Sequence, residues 1–364
     1  MPTLVSPAAV SIAVPACNEA DTIEACIHAL DVAASNAVGA RVQLVILVNN
    51  SSDDTAERAR RYCPRSLRIS VRVIALPRRR AHAGGARRAA LEYAATLLPP
   101  DGILMTTDAD SRVHPAWIAA NLGELATGVD AVAGSVAFDD ASLAALPPLP
   151  ARALEWRLAG LQARLGTLID PRAHDPWPNH IWAWGASLAL TLSAYRQVGG
   201  LPSVPLAEDR ALAAALERRD LKLRHSHAPL VLTSARRNGR APGGLADLLQ
   251  SYVVDAGAPC DAALEPTAAL LRRLCWRARL RRIARDHGLI AAATAARRLG
   301  NAARPVSGFG ALWSALEVRS PSLKRSRVMP ATLATEIALA ERWINRIERR
   351  AADRGDSPPS VCAA

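Results

Sequence analysis

Among the acidic residues of this 364-residue chain, two close pairs are candidates for chemistry. Asp108 and Asp110, separated by one alanine, follow a short apolar run at 102–107 that itself leaves a Pro-Pro-Asp-Gly turn. Such a run reads as a buried strand. In an open α/β sheet ligands gather just beyond the carboxyl ends of strands, so Asp110, with Asp108 beside it, stands where a divalent cation and its phosphates would be held. Alone, the pair reads as a solvated turn ahead of a helix near Pro115. About a hundred positions later Glu208 and Asp209 open a helical segment, where acidic residues are also favoured by the helix dipole.

Other side chains suit a nucleotide. Pro15 and Asn18 follow the first apolar run and can hold a base or ribose; Asn49 follows the second and offers a donor and an acceptor to a base edge. Ser51, Ser52 and Asp53 read as an N-cap arrangement for the next helix. Arg80 and Arg87, within an arginine-rich stretch around Gly84-Gly85, offer guanidinium forks to a pyrophosphate. Arg237 and Arg240, in a loop with Gly239, are placed to close over a diphosphate. Trp182 and Trp184 lie in a chain that is only 4% aromatic and are expected, with the following Gly185, to line an acceptor or donor-sugar site. Trp184 reads equally as core.

The elements that must position these groups alternate. Strands are expected at 10–14, 41–48, 66–76 and 102–107, with helices at 20–30, 55–62 and 84–97 between them. This pattern builds an α/β fold with a mostly parallel central sheet covered by helices, its functional loops opening along one edge. Residues 151–168 read as an amphipathic helix and 221–233 as a hairpin or paired strands carrying His225 and His227. From residue 266 the chain becomes helical and arginine-rich, with a last helix at 331–350.

Composition narrows the class. The net charge of +12 is carried almost wholly by arginine, since Lys222 and Lys324 are the only lysines. The basic residues are spread along the chain with no nucleic-acid-binding motif, which argues against a nucleic-acid partner. Six cysteines without a CxxC pair fit reduced thiols in a cytoplasmic protein. No basic leader precedes the first apolar run, and no stretch reaches the ~18 apolar residues of a transmembrane segment. The 266–283 segment fits a cover for the catalytic domain or a homodimer contact. Peripheral contact with the inner face of the membrane stays open.

Taken together, Val-Pro-Ala-Cys-Asn-Glu-Ala at 14–20, Val-Asn-Asn-Ser-Ser-Asp-Asp-Thr at 48–55, Gly-Gly-Ala-Arg-Arg-Ala-Ala-Leu at 84–91, Asp-Ala-Asp-Ser at 108–111 with Pro115 and Trp117, Gly-Ala-Ser-Leu-Ala-Leu at 185–190 with Tyr195 and Gly199-Gly200, and Ala-Glu-Asp-Arg-Ala-Leu at 207–212 resemble bacterial family 2 glycosyltransferases of the GT-A fold, in the expected order over about residues 10–249. The resemblance implies a hexosyltransferase-like enzyme. It implies that the first two loops, Glu19 included, hold a nucleotide, that Asp108 and Asp110 form a DxD motif binding Mn2+ or Mg2+, that His227 is a further metal ligand, and that Glu208-Asp209 supplies the catalytic carboxylate. Histidine on a strand is otherwise a hydrogen-bonded structural residue. One departure stands: where the family commonly has acidic residues after the second strand, this chain has Asn49 and Asn50.

The expectation is a metal-dependent transferase moving a sugar from a nucleoside-diphosphate sugar to an unidentified acceptor hydroxyl, with Asp209 as base and Glu208 positioning hydroxyls. The catalytic domain is expected at 1–255 (nucleotide half 8–140, acceptor half 141–255), a helical region at 256–352 and a disordered tail at 353–364. A nucleotidyltransferase is the rival, weakened because residues 15–19 lack a glycine-rich triphosphate grip. The other is a non-catalytic nucleotide-sugar-binding protein.

Overall fold

The structure, a computed structural model, describes residues 7–237, 239, 244–299 and 307–354. It divides into two compact units: residues 1–146, 183–216 and 223–250 form the first, and 147–182, 217–222 and 251–364 the second.

The first unit is built on an eight-stranded sheet. Its elements run β1 (Ala8–Ala16), α1 (Ile23–Asn36), β2 (Ala40–Asn49), α2 (Thr55–Arg61), β3 (Arg68–Ile74), α3 (Ala83–Thr96), β4 (Ile103–Thr106), β5 (Ser111–Val113), α4 (Trp117–Ala126), β6 (Ala131–Phe138) and the short α5 (Asp140–Ala144). The strand order is β3-β2-β1-β4-β7-β6-β8-β5, where β7 is Leu188–Thr191 and β8 is Leu223–Thr233. Strands β3, β2, β1 and β4 are mutually parallel, β7 runs antiparallel between β4 and β6, and β6 pairs parallel with β8. The expected α/β class with a mostly parallel, helix-covered sheet is therefore the one observed.

Strands β1 and β2 are mostly apolar because both sheet faces are covered: Val10, Ile12, Val14, Leu44, Ile46 and Val48 pack with Ile23, Ile27 and Leu30 of α1 in one core. The parallel run of β2, β1 and β4 puts their carboxyl ends on one edge, and the loops after Ala16, Asn49 and Thr106 leave from it.

The second unit is helical: α6 (Pro150–Ile169), α10 (Thr267–His287), α11 (Leu289–Ala295), α12 (Phe309–Arg319) and α13 (Leu333–Ala352); between α6 and α10 in the chain come α7 (Leu192–Gln197), α8 (Glu208–Arg218) and α9 (Leu245–Val254), of which α7 and most of α8 and α9 belong to the first unit. Leu158 and Leu165 of α6 pack with Leu270 and Leu274 of α10 and with Leu333, Ile337 and Ile344 of α13. The apolar face of α6 finds its partners in the C-terminal helices, so 147–182 groups with them. One correction concerns 221–233, which is one strand with a bulge opposite residues 133–135 rather than a hairpin. Among the described residues no helix is long and apolar enough to cross a membrane. Of the expected tail, residues 355–364 lie outside the described residues.

Candidate active site

The three loops at the sheet edge are sewn to one another by side chains. Asn18, at φ 55°, accepts from the backbone N–H of Ser52 (2.8 Å), and its own N–H donates to Ser51 Oγ (2.9 Å). Glu19 N–H donates to Thr55 Oγ1 and Ala20 N–H to Asp53 Oδ2. Asp53 also accepts from Thr55, the first-turn role expected of it. Asn50, at φ 49°, closes the next link by exchanging both amide groups with the backbone of Leu76. The Asn18 amide oxygen is thus committed to holding two loops together. Asn49 is different: it is buried at the end of β2 and its Oδ1 has no partner, leaving an acceptor that a bound group could satisfy.

Arg87, in the first turns of α3, is the centre of the site. It is buried, and its guanidinium donates to Glu208 Oε1 (3.0 Å), Thr106 Oγ1 (3.1 Å), the Gly185 carbonyl (2.8 Å) and Asp108 Oδ1 (2.6 Å). The side chain expected to meet a pyrophosphate is therefore consumed inside the protein. It joins the Asp-x-Asp loop, the end of β4, the 185 loop and the start of α8. Such convergence requires close backbone approach. A Cβ at Gly185 would lie 2.6 Å from Arg87 Cζ, and one at Gly84 would lie 2.5 Å from the Val204 carbonyl oxygen.

Asp209 lies beside this hub. Its Oδ2 accepts from the Gly185 N–H (2.9 Å) and its Oδ1 from the Arg210 N–H (2.7 Å). Ala207, at φ 57°, turns the chain into α8 so that Glu208 points to Arg87 and Asp209 to Gly185. Burial, followed by the charge of Glu208, raises the Asp209 pKa above the ordinary carboxylate value against the pull of its two N–H donors and Arg87. A carboxylate so held and so shifted has the character of a general base.

On the other side, Asp110 is pushed up to about 6 by burial, then by Asp108 and Glu19, with Arg236 opposing. Arg236 sits between the carboxylates: it donates to both Glu19 oxygens (3.0 and 2.7 Å) and lies 2.9 Å from Asp110 Oδ2. The loop arginine at this site is thus Arg236, missed from sequence, and not Arg237, which is exposed and reaches Gln250. Arg240 lies outside the described residues. Backbone direction after β8 decides between neighbours that look alike in sequence.

His227 is not brought to Asp110. Thr233, at the end of β8, touches Ser111 beside the acidic motif, whereas His227 lies beyond the bulge, at least ~10 Å of strand away, and contacts Ser135. Among the described residues no group of three or more His, Cys, Asp and Glu side chains could hold a metal. Two carboxylates one residue apart fit Mg2+ or Mn2+ in the manner of sites that complete their coordination with substrate phosphates and water. Asp110 and Asp108 are the residues present for it.

The remaining expected residues separate. Pro15 ends β1 at the same sheet edge and Arg80 is exposed in the turn after Pro77. Trp184 is half-buried next to Gly185 in the sheet unit. Trp182 belongs to the helical unit, where its ring packs on Trp156 at 4.5 Å, because its neighbours Ile181 and Leu168 join the core of that unit.

With this geometry in view, the sequence comparison becomes specific. The model of glycosyl transferase family 2 matches residues 11–173. Residues 11–173 are similar to that family. That segment includes most of β1, all of β2 to β4, the loops that follow them and both residues of the Asp-x-Asp motif, so the resemblance read from the spaced motifs is borne out over residues 11–173, while the motifs at 185–190 and 207–212 lie beyond the match. No curated protein matches the chain. Solved structures similar to it include a mannosyltransferase, PcManGT, of Pyrobaculum calidifontis in complex with GDP-Man and Mn2+. That match has 17% identity over 93% of this chain and 88% of that one, with TM-score 0.47. Residues 1–349 of Staphylococcus aureus TarS match at 12% identity over 94% of this chain and 91% of that one, with TM-score 0.44.

Proposed function

We propose that this chain is a metal-dependent glycosyltransferase that moves a sugar from a nucleoside-diphosphate sugar to an acceptor hydroxyl. The observation that carries the reading is Arg87: one buried guanidinium holds Asp108 of the metal-side motif and Glu208 of the acidic pair at the same time. The two acidic sites, about a hundred residues apart in sequence, are therefore neighbours around one guanidinium.

The roles follow from chemistry. Asn49, with its buried unpartnered oxygen, recognises a base edge at the end of β2. Asp110 and Asp108 hold the divalent cation, which when bound would stabilise the negative charge left on the departing diphosphate. Asp209 accepts the proton of the acceptor hydroxyl as its oxygen bonds to the anomeric carbon and the bond from that carbon to the diphosphate breaks. The Gly185 N–H fixes Asp209 for this step, and Glu208 is held off the proton path by Arg87. The free cysteines among the described residues suit a cytoplasmic setting.

The test is a panel of nucleoside-diphosphate sugars, with nucleoside triphosphates for comparison, each with and without Mn2+. Thermal stabilisation and donor hydrolysis are both read. One diphospho-sugar should stabilise the wild type in the presence of Mn2+. Asp110→Ala should lose that stabilisation, while Asp209→Asn should keep it and lose hydrolysis. Preference for a triphosphate, or undiminished turnover by Asp209→Asn, refutes the proposal.

A further inference from the structure

Asp110, assigned to the cation, already faces a cation of the protein's own. Arg236 spans Glu19 and Asp110 with a single fork, and both acids are largely withdrawn from water, with side-chain exposures of 7% and 17%. A salt bridge in such surroundings is not the loose pairing of a surface loop. Around it the backbone is anchored: the Ala235 N–H donates to Ser142 Oγ, and Thr233 bonds Ser111. The Arg236 side chain, by contrast, is a quarter exposed and has water on one side. The root of the loop is fixed while the guanidinium has somewhere to go.

We propose that Arg236 is a resident counter-cation that competes with the divalent metal for Asp110, and that the donor's diphosphate resolves the contest by accepting the displaced guanidinium. The inference rests on the reading of Asp110 as a metal ligand. A divalent ion on Asp110 needs the lone pairs that Arg236 now uses, and a guanidinium left at that distance would repel it strongly. A diphosphate supplies the missing acceptors, since paired phosphate oxygens match the arginine fork. Metal and nucleotide therefore bind with positive coupling, and by linkage each tightens the other. Without nucleotide, Arg236 keeps the acids neutralised and metal affinity low.

The experiment measures Mn2+ binding to the full chain from the electron paramagnetic resonance of free Mn2+, for wild type, Arg236→Gln, Arg236→Lys and Asp110→Asn. UDP and GDP affinities are measured at saturating Mn2+. Arg236→Gln should bind Mn2+ alone at least ten-fold more tightly than wild type. It should bind the nucleoside diphosphate favoured by the wild type at least ten-fold more weakly. Arg236→Lys, which keeps the charge and loses the fork, should fall between. If Arg236→Gln binds Mn2+ no more tightly while Asp110→Asn abolishes binding, Arg236 is a fixed strut and the proposal is overturned with the metal site intact. If Asp110→Asn leaves Mn2+ binding as in wild type, the metal reading fails and the proposal with it.

Discussion

Replacing Arg87 by Met removes the fork and keeps most of the aliphatic stem. Two carboxylates lose their partner, and the loss is unequal. The Glu208 side chain is 8% exposed and has little access to water, whereas Asp108 is 34% exposed and hydrates readily. Glu208 therefore carries most of the penalty, which for one member of a buried ion pair is about 3–5 kcal/mol. The Gly185 carbonyl and Thr106 hydroxyl also lose a donor, but water reaching the vacated space offsets part of that. A domain is stable by about 5–15 kcal/mol, so Arg87→Met should consume a large share of the margin. Urea unfolding followed by circular dichroism measures it. The double variant Arg87→Met/Glu208→Gln should recover at least ~1 kcal/mol, because an amide is cheaper to strand than a carboxylate. Arg87→Lys should fall between wild type and Arg87→Met, since one ammonium cannot serve both acids. A cost below ~1 kcal/mol for Arg87→Met, or no recovery in the double variant, would refute the view that this guanidinium clamps the site.

Two further outcomes follow from the same geometry. Gly185→Ala forces a methyl against the Arg87 guanidinium at 2.6 Å and should cost about 1–3 kcal/mol in urea unfolding while lowering transfer by Asp209; unchanged stability and turnover would contradict the close approach. Asp209 must be ionised to act as base and its pKa is raised, so activity should fall on acidification at a pH above that of an ordinary aspartate. Because Glu208 is one cause of that rise, Glu208→Gln should move the acid limb of kcat/KM to lower pH, and a limb that stays put or moves up counts against Asp209 as the titrating base.

Much of this was legible in the sequence, and the reason is local. The strands β1, β2 and β4 are largely buried on both faces, so they appear as predominantly apolar runs, and parallel topology then delivers their following loops to one edge. Asp108 and Asp110 could be placed from that alone. What depends on distant partners was not legible. Arg87 and Arg80 look equivalent on paper, yet one is buried against Glu208, 121 positions away, and the other is exposed in a turn. Arg236 and Arg237 are adjacent, and only the path of the chain leaving β8 assigns the first to Glu19 and Asp110. Asn18 was read as a ligand contact because its amide suits one; the αL backbone that turns the amide onto Ser52 has no sequence signature stronger than asparagine itself. The helix at 150–169 showed its apolar stripe, but a stripe does not say what covers it.

The departure at Asn49-Asn50 gains meaning from these contacts. An acidic residue at either position would add charge to an edge that already carries Glu19, Asp108 and Asp110, of which Asp110 is pushed up to about 6. The protein answers this charge with two arginines used differently. Arg87 is fully enclosed and bound on four sides, so it fixes the distance between the two acidic motifs. Arg236 has one side to water and holds Glu19 together with Asp110, which a metal would also claim. With amides in the second loop the site still has five carboxylates, Glu19, Asp108, Asp110, Glu208 and Asp209, against two guanidiniums, Arg87 and Arg236. A divalent cation would offset most of that excess negative charge, and a diphosphate arriving with it would bring the acceptors that a displaced Arg236 needs. A neutral amide at Asn49 is consistent with the proposed function, because a further carboxylate there would add to the negative charge that the metal must offset before an anionic donor can bind.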